Sequence, residues 1–294
     1  MDFRTDLALE RREMLEEDIS GIEVSESEND ECKTTVIEIK TESAAKRLGK
    51  GVGKYITLEM NAFSDEAAVS DGRLDALIKS VKKLLPEGDG TVLVAGVGNE
   101  HITSDALGPM TASYVFATRH IKGELQRAAG FSESLRPVAV VRAGVLGETG
   151  IESGEYIKSV CQAVKPQCVI TVDALAAGSV KRLGTTVQMS DTGISPGSGI
   201  GNTRKRIDES YLGVPVIAIG IPTVVDALSL AAELSGVSPE KLDREAAGER
   251  NGMTVAPKDI DLLVKNASYL LGLAINCALQ PTLSPKELYG IMQI

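Results

Sequence analysis

Between residues 92 and 234 the chain alternates short apolar runs with stretches of helical spacing. The runs are Val92–Val97, 138–142, 168–172, 185–189 and 215–219. Helical stretches are expected over 109–120, 151–164 and from Pro222-Thr223 to about Leu234. A short helix or turn is expected over 175–180. Buried strands separated by helices are the signature of a mostly parallel sheet with helices on its faces. The expected class is therefore α/β, as one domain with no interdomain linker. A further helix is expected around Leu74, Leu77, Ile78 and Val81, and the long apolar stretch Ile260–Leu279 closes the chain. Ahead of this core, 34–39 and 55–60 alternate as an antiparallel pair joined by a Gly/Lys connection over 44–54. That small N-terminal β element, within residues 30–62, either extends the sheet or packs as an appendage. The acidic stretch 16–31 reads as surface.

An open parallel sheet binds ligands outside the carboxyl ends of its strands. Two aspartates stand there. Val92–Val97 runs into the turn Gly96-Val97-Gly98-Asn99 and a polar loop carrying Asp105, and Pro109 suits the first turn of the next helix. Asp173 directly follows the run 168–172. If those strands are neighbours, the two carboxylates share one crevice. There one retains a proton and serves as acid while the other serves as base. The plainer reading is that each aspartate caps a helix or fixes a turn. The tripeptide Asp-Ala-Leu also occurs at Asp75 and Asp226, so only strand-end context separates Asp105 and Asp173. Gly96, Gly98 and Asn99 are candidates for letting the loop approach a substrate.

Asp191-Thr192-Gly193 imitates a signature of all-β aspartic proteases, but it occurs once, on an α/β pattern. The loop after it, with Ser198 and Gly199, could cradle an anion or bind substrate, and Arg204, Lys205 and Arg206 follow. No Walker lysine, HExxH or GxSxG spacing is present. His101, four residues before Asp105, and His120 are the only histidines, a thin basis for a metal site.

The net charge of −10 and the 3% aromatic content argue against direct nucleic-acid binding. Four cysteines without CxxC spacing suggest reduced thiols in a cytoplasm-like compartment. No signal-peptide core is evident, and no uninterrupted apolar run is long enough to span a bilayer.

Six stretches, in order, carry a resemblance. They are Arg4-Thr5-Asp6-Leu7-Ala8, Gly96-Val97-Gly98-Asn99 with Ser104-Asp105-Ala106-Leu107-Gly108-Pro109, and Gly144-Val145-Leu146-Gly147-Glu148-Thr149-Gly150-Ile151-Glu152. Val172-Asp173-Ala174-Leu175-Ala176-Ala177, the loop Ser190 to Gly199, and Ile219-Gly220-Ile221-Pro222-Thr223-Val224-Val225-Asp226-Ala227 complete them. The chain resembles the germination proteases of endospore-forming bacteria, endopeptidases that degrade small acid-soluble spore proteins. The resemblance implies a fold like that of hydrogenase-maturation proteases, a zymogen that removes its own propeptide, and a homotetramer in the cytoplasm of the forespore and spore core. It places two catalytic aspartates on Asp105 and Asp173 and self-processing between Asp6 and Leu7. Residues 1–6 would then be propeptide and 7–294 the protease domain. It calls for no cofactor, metal, nucleic acid or membrane. An exposed, weakly structured terminus would suit entry of residues 1–8 into a groove, with their acidic side chains met by Arg204–Arg206.

Overall fold

A computed structural model gives the structure, which describes residues 5–15, 19–64, 72–121, 135–197, 205–237 and 252–292. Among these residues nine strands form one sheet in the order β1–β2–β3–β7–β8–β6–β4–β5, with β9 on β8. Its parallel core is β4 (Val92–Val97), β5 (Val138–Ala143), β6 (Cys168–Ala177) and β8 (Val216–Asp226). Every residue of β4 is buried, as a strand covered on both faces requires. The other half is antiparallel: β1 (Ile22–Glu28), β2 (Cys32–Ile39), β3 (Gly53–Met60) and β7 (Thr186–Ser190). The two-residue β9 (Thr254–Val255) is antiparallel to β8.

Helices cover both faces. On one, α3 (Gly72–Leu84), α4 (Leu107–Tyr114) and α9 (Ile260–Leu279) pack over Val92, Val94, Ile170, Val172 and Ile219. On the other, α6 (Ser153–Val164) sets Ile157 and Cys161 against Leu93, Ala95 and Val169. The short helices α1 (Ala8–Glu13) and α2 (Glu42–Leu48) cover Ile37, Ile39 and Tyr55 of the antiparallel half. The remaining helices among the described residues are α5 (Leu146–Thr149), α7 (Glu209–Leu212), α8 (Ala227–Ser235) and α10 (Pro285–Met292).

The early hairpin extends the sheet rather than standing as an appendage. Alternation along β3 puts Ile56 and Leu58 into the central core and Tyr55 into the other layer, and β3 pairs with β7. Part of the acidic stretch forms the edge strand β1, whose Glu and Ser side chains stay exposed and blunt that edge against further pairing. The connection expected over 44–54 instead overlaps α2, which begins at Glu42, and the start of β3. Thr41 caps α2 by accepting from Ala44 N, and Gly49 ends it at φ +68°.

Two strands run further than expected. Leu175 lies within β6, and Pro222 lies within β8 instead of opening a helix. Long parallel pairing wins, because a register shift at Leu175/Ala176 absorbs the proline opposite Leu175. Asp226 ends β8 and caps α8 by accepting from Ser229 N at 3.0 Å. Helix α4 stops at Tyr114, short of His120, because Asn276 of α9 intervenes. Its amide donates to the Tyr114 carbonyl (2.9 Å) and accepts from Phe116 N (2.8 Å). By length and composition α9 could cross a membrane, but 78% of its apolar window is buried within this fold.

Candidate active site

Strand β4 ends at Val97, and the backbone turns at Gly98 with φ +129°. A Cβ on Gly98 would collide with the Asp105 carbonyl oxygen, so only glycine fits under the returning loop. Gly96 and Gly108 have a parallel role: a Cβ on Gly96 would strike the Gly108 carbonyl, and one on Gly108 the carbonyls of Val97 and Val172. Helix α4 therefore starts hard against the end of β4 and the middle of β6. Asp105 sits in the one-turn 3-10 helix Thr103–Asp105, and its Oδ2 accepts from Asn99 N at 2.8 Å. Asn99 Oδ1 accepts from His101 N (2.8 Å), so Asn99 shapes the loop. Thr223 of β8 anchors it from the far side, donating to the Ser104 carbonyl at 2.6 Å.

Asp173 lies within β6, one residue past the pairing of Val172 with Gly96, so it is level with the end of β4. It is 5% exposed, and its Oδ1 accepts from Ala174 N at 2.9 Å. The neighbouring strands bring both aspartates to the wall of one cavity of about 250 Å³. Gly98, Ala176, Pro196, Gly197 and Thr223 also line it, and so does Asp6.

The N-terminal segment is not exposed and weakly structured from Thr5 onward. Thr5, Leu7, Ala8 and Glu10 are buried, because this segment fills the space between α2 and the sheet. Asp6 N donates to the Ala176 carbonyl (2.9 Å), and Asp6 Oδ2 accepts from Ala176 N (2.9 Å). The Asp6 carbonyl accepts from Lys50 Nζ at 2.7 Å and Gln188 Nε2 at 2.8 Å. Gln188 Oε1 in turn accepts from Ala8 N at 2.5 Å. One glutamine of β7 thus holds both flanks of the Asp6–Leu7 bond. Glu10 anchors the segment beyond it: its carboxylate accepts from Gly178 N (2.7 Å), Ser179 N (3.0 Å) and the Thr5 hydroxyl.

Two of these groups titrate unusually. Burial raises the Glu10 carboxyl, against the lowering by its three hydrogen bonds and Arg182. Desolvation pushes the Lys50 ammonium down to about 8, although the residue as a whole is only partly buried. Asp6 and Glu10 favour its charge, and Arg11 and Arg206 oppose it.

Other sequence candidates fall elsewhere. Asp191 directly follows β7 and accepts from Lys54 N at 2.7 Å, a bond at the end of the β3–β7 pair and outside the cavity. Ser198, Gly199 and Arg204 lie outside the described residues. Among the described residues the acidic side chain paired with Arg206 is Asp208 (3.1 Å). Arg206 also donates to the Thr192 carbonyl (2.7 Å). His101 is 77% exposed in its side chain and lies 3.8 Å from Glu148. Among the described residues no group of three or more His, Cys, Asp or Glu is arranged to hold a metal. Sequence reasoning missed Lys50, Gln188 and Glu10. A lysine after a helix-ending glycine and a glutamine inside an apolar strand were the only local signals.

Comparison with known proteins gives a consistent result. The sequence profile of the germination protease family (Peptidase_A25) matches residues 4–246. The germination protease of Caldanaerobacter subterraneus subsp. tengcongensis is 40% identical over 99% of this chain and 98% of its own. That of Clostridium tetani is 36% identical over 98% of each chain. Among solved structures, the [NiFe] hydrogenase maturation protease HycI of Thermococcus kodakarensis is 16% identical with a TM-score of 0.38, over 68% of this chain and 98% of that one. The α/β architecture rests on the sheet order itself rather than on that likeness. With the profile and the full-length relatives in agreement, the chain, a peptidase, belongs to the germination protease family.

Proposed function

We propose that this peptidase hydrolyses small acid-soluble spore proteins during germination and matures by cutting itself between Asp6 and Leu7. Asp105 and Asp173 are the hydrolytic pair. One carboxylate takes a proton from the attacking water, and the other, as carboxylic acid, protonates the departing amine. The observation that carries this reading is the shared wall: Asp105, Asp173 and Asp6 line one cavity. The residue before the suspected cut is thus already at the site, its N–H donating to the Ala176 carbonyl and its side-chain carboxylate accepting from Ala176 N. Residues 1–6 are the propeptide in this reading, and 7–294 the protease domain. The family resemblance adds a homotetramer in the cytoplasm of the forespore and spore core.

The test is to incubate the full-length chain at mildly acidic pH and sequence its N-terminus. The expected product begins at Leu7 in the wild type, while Asp105→Asn keeps its original terminus. A wild-type chain that stays full length yet degrades a spore protein would remove residues 1–6 from the mechanism. Degradation by Asp105→Asn at the wild-type rate would remove Asp105.

A further inference from the structure

The two carboxylates supply proton transfer, but peptide hydrolysis also builds negative charge on the carbonyl oxygen. Only donors already aimed at that oxygen stabilise the charge without reorganisation. Two such donors are present. Lys50 Nζ stands 2.7 Å and Gln188 Nε2 stands 2.8 Å from the Asp6 carbonyl oxygen. They reach it from separate elements, the turn after α2 and strand β7. The rest of the peptide is held as firmly. Asp6 pairs with Ala176, Leu7 N donates to Thr5 Oγ1 at 3.0 Å, and Ala8 N donates to Gln188 Oε1.

Resting on the reading that Asp6–Leu7 is the bond cut, we propose that Lys50 and Gln188 form the oxyanion-stabilising pair of this protease. Water oxygen adds to the Asp6 carbonyl carbon, and one of the two carboxylates takes a water proton. The carbonyl π pair moves onto oxygen, where the Lys50 ammonium and the Gln188 amide N–H receive the charge. The oxygen lone pair then reforms the C=O bond, the C–N bond breaks, and its electrons take the proton held by the other carboxyl group. The products are the Asp6 carboxyl and the Leu7 amine. No component beyond water is consumed.

The ammonium must be charged to serve best. Asp6 and Glu10 face it as favourable charges and Arg11 and Arg206 as unfavourable ones, and its value near 8 leaves it protonated at neutral pH. Self-cleavage therefore declines as pH rises through about 8, where the proton is lost. A mainly structural lysine would not impose that limb.

The experiment measures the first-order rate at which the full-length chain yields the Leu7 terminus, by intact mass, between neutral and alkaline pH. Four chains are compared: wild type, Lys50→Met, Lys50→Arg and Gln188→Glu. The glutamate keeps the acceptor for Ala8 N while removing the donor to Asp6. Loss of one donor should slow cleavage about a hundred-fold. Lys50→Arg should keep most of the rate and move the alkaline limb upward. The thermal midpoint of each variant reports its folding, and the rescued arginine chain guards against loss of cleavage through misfolding. Wild-type rates in both Lys50→Met and Gln188→Glu would overturn the pair alone and leave the two aspartates in place. An unshifted alkaline limb in Lys50→Arg would also overturn the role of Lys50. A wild-type chain that never yields the Leu7 terminus would overturn both the pair and the self-cleavage reading beneath it.

Discussion

The two halves of the sheet have different tasks. The parallel half, β5–β4–β6–β8, carries Asp173 on a strand and Asp105 on the loop just past one, and covering layers bury it on both sides. The antiparallel half carries Gln188 on β7, with Lys50 just ahead of β3, and receives the N-terminal segment on one face. The cavity opens near their junction at β8, whose Thr223 lines its wall. In the proposed mechanism the proton-transferring groups come from the parallel side, while both sides hold the N-terminal segment, Ala176, Gly178 and Ser179 from the parallel half and Lys50 and Gln188 from the antiparallel half. Parallel strand ends concentrate loops and helix starts, whereas antiparallel strands offer side chains that reach across to a bound segment.

The sharpest test of this division replaces the carboxylates. Asp105→Asn and Asp173→Asn should each lower cleavage of a spore protein about a thousand-fold. The thermal midpoint should barely change, because an asparagine oxygen can still accept from Asn99 N or Ala174 N. Comparable cleavage in either variant would detach that carboxylate from the parallel half's task.

Gly98→Val should come next, and should damage fold and activity together. Its positive φ alone costs about 1–3 kcal/mol for a branched residue, and the added Cβ would meet the Asp105 carbonyl. Cleavage and thermal midpoint should both fall. A stable, active Gly98→Val chain would show that the loop has slack which the backbone contact denies.

In the antiparallel half, stability and chemistry should separate the other way. Arg182 is 3% exposed and pairs with Glu59 of β3 and with Glu13 of α1 at 2.7 Å. Both glutamates are partly exposed, so solvent screens the pairs. Arg182→Met should cost about 1–2 kcal/mol in denaturant titration while slowing cleavage far less than the aspartate variants. An equal loss of cleavage would dissolve the contrast between the halves.

The smallest expected effect is a pH slope. Burial raises the Glu10 carboxyl in the folded chain, so the folded state holds that proton more tightly than the unfolded one. The resulting stability is full below the ordinary carboxyl range, falls as pH rises through the raised value, and is flat above it. Subtracting the pH–stability profile of Glu10→Gln from that of the wild type should isolate this slope. No difference between the profiles would show that Glu10 titrates normally.

Local signals carried much of the parallel half. Apolar run, turn and aspartate sufficed to locate β4 and its loop and to put Asp173 beside the end of β4, but not to see that β6 continues past Asp173 to Ala177. They failed where a partner strand decides the outcome: Leu175 and Pro222 look locally like turn and helix start, yet pairing carries both strands onward. Helix α2 was readable from Thr41 and Gly49 but lay hidden among glycines and lysines. The grip was not legible, because Lys50 and Gln188 are far apart in the chain. Neither means anything until β3 and β7 pair and Asp6 arrives between them.

The long helix α9 has a consequence for how this chain can vary. Its buried polar side chains act at two levels: Ser268 donates to the Leu107 carbonyl at 3.2 Å, and Asn276 closes the far end of α4. Gln280, just past the helix, donates to the Arg136 carbonyl at 2.9 Å. Each residue of helix turns its successors by about 100° and advances them about 1.5 Å. A single inserted residue between Ser268 and Asn276 would point one of those polar groups at hydrocarbon. Leu107 is only two positions beyond Asp105. The helical phase near the chain's end is thus a ruler for the candidate-site loop near residue 105, and length changes there should survive only in multiples that restore the phase.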